Sequence, residues 1–132
     1  MCSSNLLASW NDGRFAALGD NRLDAFDATG KRLWKLTSAD GLCGAEHLAV
    51  LSDGRVVVMD SSGIQWIAAN GKLGRYDQLE KLWEHKPRYP CGLEAGADSG
   101  VIVEDFDLFV RMDAAGKALG KVIGRASCRE RV

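Results

Sequence analysis

The sequence has few prolines, few cysteines and no long apolar run, and each shortage excludes a class of protein. With two prolines and 46% hydrophobic residues, the composition is neither disordered nor fibrous. Four cysteines are too few for the disulfide scaffold of a small secreted domain. No apolar run approaches the roughly 20 residues that span a bilayer. We therefore expect a soluble globular chain without a membrane span or a signal peptide, in a compartment that the sequence does not indicate.

An excess of one charge is also missing. The formal net charge is -1, the isoelectric point is near 6.1, and Lys and Arg are scattered along the chain. A nucleic-acid-binding surface requires a basic patch, and an anionic membrane surface attracts clustered lysines and arginines. The sequence therefore predicts neither nucleic acid nor a membrane surface as a partner.

Catalytic motifs are equally scarce. The chain has no G-x-S-x-G elbow, phosphate-binding loop or dinucleotide fingerprint, and His47 and His85 lack the spacing of metal ligands. The sequence thus indicates no catalytic residue, no metal site and no cofactor.

Residues 123–132 differ in composition from the rest of the chain. They are rich in Arg and have neither aromatic residues nor strand-like alternation. Their sequence, Ile-Gly-Arg-Ala-Ser-Cys-Arg-Glu-Arg-Val, matches the translation of a common sequencing-library adapter at every position. We predict that this segment is foreign and exclude it from fold reasoning. The alternative is a native basic tail that closes the last repeat.

The remaining sequence contains three repeats. A turn with Asp or Ser before Gly recurs with spacings of 41 and 46 residues, at Gly13, Gly54 and Gly100. A second turn recurs with spacings of 41 and 45 residues, at Gly30, Gly71 and Gly116. A cysteine precedes the first turn of each repeat by 11, 11 and 9 residues, at Cys2, Cys43 and Cys91. A shared period of this length is typical of a propeller blade.

Each repeat also contains four strand-like segments. In the second repeat they cover residues 47–51, 55–59, 64–68 and 72–76, joined by Asp-Gly and Asn-Gly turns that favour hairpins. We therefore predict an all-β fold, an incomplete β-propeller of about three four-stranded antiparallel blades. The predicted blades cover residues 1–37, 38–77 and 78–122. An antiparallel sandwich with coincidental spacing is the alternative.

Two segments resemble known propeller repeats. Residues 25–34, Ala-Phe-Asp-Ala-Thr-Gly-Lys-Arg-Leu-Trp, resemble the PQQ-like repeat. Residues 52–60, Ser-Asp-Gly-Arg-Val-Val-Val-Met-Asp, are similar to NHL-type repeats and more loosely to WD40-like ones. Propellers close with about 4 to 8 blades. The resemblance therefore implies that the chain is a fragment whose partners include the remaining blades of the same natural chain.

Two sets of residues are candidate sites. If Cys2, Cys43 and Cys91 each start an inner strand, they would surround one mouth of the channel and supply soft thiolate ligands. The alternative is that a small, easily buried residue simply suits a crowded inner strand.

The second set lies in the connection between the second and third repeats, which is longer than the first connection. Loops on a rigid scaffold carry much of the binding function of proteins. We predict a contact surface for a protein or a small ligand at Trp83, His85, Arg88 and Tyr89.

The predicted function is accordingly a non-catalytic binding scaffold. The alternative is part of a propeller enzyme, a quinoprotein-like dehydrogenase or a metal-assisted lactonase, whose active site lies mostly in other blades.

Overall fold

The fold is built almost entirely from β-strands, in a computed structural model that describes residues 6–84, 86–106 and 108–123. These residues form three four-stranded antiparallel sheets, each with its strands in sequence order. The predicted all-β fold with three four-stranded sheets is confirmed. Cys2, His85 and residues 124–132, which we predicted to be functional or foreign, lie outside the described residues.

The three sheets, called blades 1 to 3 below, follow one another along the chain. Blade 1 contains β1 (Leu6–Ser9), β2 (Phe15–Gly19), β3 (Arg22–Phe26) and β4 (Arg32–Thr37). Blade 2 contains β5 (His47–Val50), β6 (Val56–Met59), β7 (Gly63–Ile67) and β8 (Leu73–Gln78). Blade 3 contains β9 (Pro90–Ala95), β10 (Val101–Asp105), β11 (Leu108–Met112) and β12 (Ala118–Ile123). A 3-10 turn, Ser38–Asp40, connects blades 1 and 2, and the short helix α1, Leu79–Trp83, connects blades 2 and 3.

The first turn of each blade places one residue in the left-handed region. Gly13 and Gly54 have φ of 96° and 95° there, whereas in blade 3 the left-handed residue is Ser99, with φ of 66°. The predicted turn is present between β9 and β10, but Ser99 and not Gly100 is the equivalent of Gly13 and Gly54. Gly100 has a different role, because a Cβ at this position would collide with the carbonyl oxygen of Met112. With Ser99 as the marker, both turns repeat with the same spacings of 41 and 45 residues.

In blades 1 and 3 the second turn is stabilised by a side chain that binds the backbone. Oδ1 of Asp27 accepts hydrogen bonds from the backbone N–H groups of Thr29 and Lys31, both at 2.9 Å. Oδ1 of Asp113 does the same for Ala115 and Lys117, also at 2.9 Å. Such local bonds are the reason that Asp is favoured at turns.

The blades pack face to face around their inner strands. β5 contacts both β1 and β9, so the first strand of each blade lies at the inner edge and the fourth at the outer edge. Blade 2 is covered on both faces, and every residue of Val56–Met59 and Gly63–Ile67 is buried. In β2 of blade 1, by contrast, buried and half-buried residues alternate. Continuous apolarity is therefore matched by two-sided burial in the middle blade.

Tryptophans join blade 1 to blade 2. The Trp10 Nε1–H donates to the carbonyl oxygen of Gly54 at 2.8 Å, and the Trp34 Nε1–H donates to that of Ala69 at 2.9 Å. The Trp34 ring packs so closely on Gly71 that a Cβ there would lie 2.7 Å from the ring. Gly71 is thus required both for its left-handed φ of 92° and for this approach.

Arginines join blade 2 to blade 3. The guanidinium groups of Arg55 and Arg75 each lie 5.1 Å from the ring centroid of Trp66. An Nη2–H of Arg55 donates to the carbonyl oxygen of Ala114 at 2.8 Å, and Arg75 donates to that of Ala115. Guanidinium groups in this interface thus make the backbone contacts that indole groups make in the first one.

Candidate functional site

The loops lie on two rims of the stacked blades. The turn rim carries the β1–β2 and β3–β4 turns and their equivalents in the other blades. The connection rim carries the β2–β3 turns and the segments that join one blade to the next. The predicted contact surface belongs to the segment between blades 2 and 3, on the connection rim.

Helix α1 fixes the start of that segment. Leu79 and Trp83 lie on its inner side, with 0% and 2% of their surface exposed, and both belong to the apolar core between blades 2 and 3. The backbone N–H of Leu79 donates to the carbonyl oxygen of Ser62 at 2.9 Å. The helix ends at Glu84, which adopts a left-handed φ of 61°. Trp83 is therefore a core residue, and its side chain does not reach the surface that we predicted it would form.

A buried carboxylate fixes the end of the same segment. Asp105, 1% exposed, ends β10 and accepts hydrogen bonds from the backbone N–H of Arg88 at 3.1 Å and of Tyr89 at 2.5 Å. The backbone N–H of Phe106 donates in return to the carbonyl oxygen of Tyr89 at 3.2 Å. Because breaking this contact would leave the buried Asp105 side chain without these partners, the contact is costly to break.

The side chains of the tethered residues point outward. Tyr89 is 59% exposed, and Arg88 is also exposed, with its guanidinium carbon 4.8 Å from the ring centroid of Phe106. A cation that rests on an aromatic face keeps its N–H edge available for hydrogen bonds. We call Arg88, Tyr89 and Phe106 the rim patch. Of the four predicted contact residues, the structure brings Arg88 and Tyr89 together here.

A second polar cluster lies on the connection rim of blade 2. One oxygen of Asp60 accepts hydrogen bonds from the backbone N–H of Ser62 at 2.8 Å, of Gly63 at 2.7 Å and from the Tyr76 hydroxyl at 2.9 Å. Burial, together with the charge and hydrogen bond of Asp60, raises the pKa of Cys43 to about 12. Burial and Asp60 also raise the pKa of Tyr76. Both groups therefore remain protonated near neutral pH.

The two described cysteines occupy different positions. Cys43 lies in the loop before β5, where its backbone N–H donates to Oε1 of Gln65 at 3.0 Å, whereas Cys91 lies within β9. The strand register makes Gly92 the equivalent of His47, so Cys91 is not the counterpart of Cys43. A protonated thiol at Cys43 is a poor metal ligand. Within the described ranges, no group of three or more His, Cys, Asp or Glu side chains has the arrangement of a metal site.

The sequence interpretation missed Asp105 as the anchor of the rim patch. The signal is present, since Glu104 and Asp105 follow an apolar run, Val-Ile-Val, with no intervening turn residue. A charged residue that continues a buried strand requires a partner that satisfies it. The backbone of the approaching connection is that partner.

No protein-family model and no curated protein sequence matches the chain. Solved structures do match. One is BBS1N in complex with ARL6DN, with a TM-score of 0.71 and 15% identity over 93% of this chain and 39% of that one.

The chain has the fold of a β-propeller arc. BamB from Moraxella catarrhalis matches with a TM-score of 0.66 and 13% identity over 90% of this chain and 34% of that one. The dihydro-heme d1 dehydrogenase NirN in complex with DHE matches with a TM-score of 0.64 and 13% identity over 86% of this chain and 26% of that one. The arc thus spans well under half the length of these proteins. None of the helices described is long and apolar enough to cross a membrane.

Proposed function

We propose that this arc is part of a larger β-propeller that acts as a protein-binding scaffold, and that the rim patch contacts the partner. The observation that carries the proposal is the double tether of the connection. Helix α1 is held in the core by Leu79 and Trp83, and Asp105 holds the backbone of Arg88 and Tyr89. A surface segment held at both ends loses little conformational entropy when a partner binds.

The chemistry of the patch suits this role. Tyr and Arg are enriched among the residues that dominate binding energy at protein interfaces. Tyr89 supplies a large exposed ring, and Arg88 supplies N–H donors fixed in direction by Phe106. The similarity to BBS1N, whose structure was determined in complex with another protein, supports this proposal at the level of the fold.

The alternative is a propeller enzyme whose catalytic groups lie in other blades. The similarity to NirN, a dehydrogenase solved in complex with DHE, supports it at the level of the fold as well. The two candidates differ in what Arg88 and Tyr89 do. In a scaffold, Arg88 and Tyr89 contact the partner protein. In an enzyme whose site lies in other blades, they take no part in the function.

Photo-crosslinking in the full-length natural protein tests the scaffold. A photoreactive amino acid replaces Tyr89 in one variant and Thr29, an exposed residue of the turn rim, in the matched control. We expect a protein crosslinked at position 89 and not at position 29. Isothermal titration with that purified protein should then show roughly tenfold weaker binding for Tyr89→Ser and for Arg88→Gln. Identical crosslinks at the two positions, or unchanged affinities, would contradict the proposal.

A further inference from the structure

A cavity of about 900 Å³ lies on the inner side of the arc, where the first strands of the three blades meet. Each of these strands supplies part of its wall, with Leu6 from β1, His47 and Leu48 from β5, and Gly92, Leu93 and Glu94 from β9. The cavity then continues along blade 3 past Glu104 and Arg111. Because the first strands form the inner edge of the arc, the cavity lies where the central channel of a propeller runs.

Blade 3 presents carboxylates to this cavity at positions where blade 2 has apolar side chains. Counted from the left-handed residue of each first turn, Glu94 and Glu104 correspond to Ala49 and Met59. Ala49 and Met59 are 7% and 0% exposed, and Met59 belongs to the apolar core between blades 2 and 3. Burying a carboxylate in an apolar junction is costly unless the charge is paired. The inner part of blade 3 therefore suits contact with polar groups better than contact with an apolar sheet face.

Gly92 gives the Glu104 carboxylate its place at the inner edge of blade 3. The equivalents of Gly92 are His47 and Leu6, whose side chains line the cavity in blades 2 and 1. A Cβ at Gly92 would lie 3.0 Å from Oε1 of Glu104 and 3.1 Å from its Cβ. The missing side chain thus lets a glutamate of the second strand, only 7% exposed, reach the cavity.

His47 adds a hydrogen-bond acceptor from the neighbouring blade. Its imidazole donates to the carbonyl oxygen of Pro90 at the start of β9. A neutral imidazole that donates through one nitrogen accepts through the other. Burial lowers the pKa of His47, so the ring is neutral near neutral pH. Two adjacent inner strands therefore contribute acceptors to one cavity.

The wall of the cavity combines an excess of negative charge with an apolar surface. Among the described residues of the wall, the base is Arg111, which forms an ion pair with Asp98 at 3.1 Å. Glu94 and Glu104 outnumber it. Beside these charges the inner strands supply aliphatic side chains, those of Leu6, Leu48 and Leu93. Such a wall matches a molecule that has an apolar body and a positively charged head.

We propose that this cavity, in the complete propeller, binds a small organic ligand that carries a primary amine. An ammonium group has three N–H donors, and a carboxylate accepts several hydrogen bonds, so it can bind a ligand in addition to its contacts within the protein. Glu94, Glu104 and His47 accept from the ammonium group, and the leucines of the inner strands contact the apolar part of the ligand. A mostly apolar cavity with a few polar groups that fix orientation is the usual form of a small-molecule site.

Isothermal titration of the full-length natural protein with hexylamine near neutral pH tests the proposal, and hexanoate serves as a ligand of similar length and opposite charge. We expect hexylamine to bind at least about tenfold more tightly than hexanoate. Glu104→Gln should weaken hexylamine binding roughly tenfold, and the more exposed Glu94→Gln roughly threefold. Glu80→Gln is the matched control, because it removes the same charge from an exposed position on helix α1, outside the cavity, and should leave the affinity unchanged.

Gly92→Ala provides a test that changes no charge. Its Cβ would displace the Glu104 carboxylate and should weaken hexylamine binding while the weak affinity for hexanoate stays the same. The comparison of the two ligands on the wild-type protein does not depend on the folding of any variant.

Equal affinities for hexylamine and hexanoate, or equal effects of Glu104→Gln and Glu80→Gln, would overturn the proposal. A wild-type protein that binds neither ligand would also overturn it, and is the result expected if a side chain of a further blade already pairs with the two glutamates. The proposal shares with the scaffold function only the larger propeller, since no residue of the rim patch lines the cavity. Crosslinking at position 89 is measured without hexylamine, so either proposal can fail alone.

Discussion

The two interfaces inside the arc solve the same packing problem with different chemistry. Between blades 1 and 2, the indole N–H groups of Trp10 and Trp34 bind backbone carbonyls of the next blade. Between blades 2 and 3, Arg55 and Arg75 bind the equivalent backbone and enclose Trp66. Both interfaces have an apolar core, but the donors that bind the backbone carbonyls are indole rings in the first and partly exposed guanidinium groups in the second. Both interfaces therefore require a side chain that donates a hydrogen bond to a backbone carbonyl of the next blade. Either an indole or a guanidinium group can be that donor.

The largest effect should come from Trp10→Ala. This residue is 7% exposed, so its loss opens a cavity and leaves the carbonyl oxygen of Gly54 without its donor. We expect about 3 to 5 kcal/mol of lost unfolding free energy in urea. Trp10→Phe keeps most of the ring and should lose about 1 kcal/mol. A loss below about 1 kcal/mol for the Ala variant would mean that the indole does not hold the interface.

A matched glycine pair compares the two interfaces directly. Gly71→Ala and Gly116→Ala both place a side chain at a left-handed φ, 92° and 90°, at a similar backbone cost. At Gly71 the new Cβ would lie 2.7 Å from the rigid Trp34 ring. At Gly116 it would meet the end of the flexible Arg75, and the Trp66 ring only at 3.1 Å. In urea unfolding, we expect Gly71→Ala to lose about 3 kcal/mol of unfolding free energy and Gly116→Ala to lose about 1 kcal/mol. Equal losses would show that both donors are equally rigid.

Arg75→Gln should have a small effect that depends on salt. The side chain is 47% exposed, and its ion pair with Asp77 at 2.6 Å is accessible to solvent. Such pairs contribute about 0 to 1 kcal/mol and weaken as the Debye length falls. The difference in the free energy of unfolding between Arg75→Gln and wild type, measured in urea, should therefore be smaller at high salt than at low salt. The effect of Trp10→Ala, measured in parallel, should not.

The smallest effect is a pH dependence confined to the second interface. Burial lowers the pKa of His47, against the opposing effects of Glu46 and a hydrogen bond to the Pro90 carbonyl. The unfolded chain thus binds a proton more readily than the native one, and stability falls as pH drops below about 6.5, the ordinary pKa of histidine. Leu6 holds the equivalent position in blade 1. In His47→Gln, the urea midpoint should change less between pH 7.5 and 5.5 than it does in the wild type. An unchanged pH dependence of the midpoint would mean that other groups cause it.

Much of the fold could be predicted because the repeats carry local signals. The turns around Gly54 and Gly71 require left-handed residues, so they mark the strand ends, and the apolar run Val56–Met59 is a strand as expected. The turn around Gly100 was also predicted, but there Ser99 takes the left-handed position. Sequence alone does not distinguish a glycine needed for φ from one needed for close approach.

The candidate site was less predictable because its parts are joined only in three dimensions. Helix α1 is five residues long, too short to be stable alone, and it exists because Leu79 and Trp83 enter the core. Nothing local shows that Trp83 is buried while Tyr89 is exposed. Likewise, Asp105 is separated by sixteen residues from the Tyr89 backbone that it binds.

The environment of Cys43 has a practical consequence. With a pKa near 12, this thiol is almost never ionised at neutral pH, and only the thiolate reacts readily with alkylating reagents. If the loop before β5 moved away, Cys43 would lose both its burial and its contact with Asp60, and its thiol would regain an ordinary pKa. The rate at which Cys43 is alkylated therefore reports how often the junction of blades 1 and 2 opens in the folded chain.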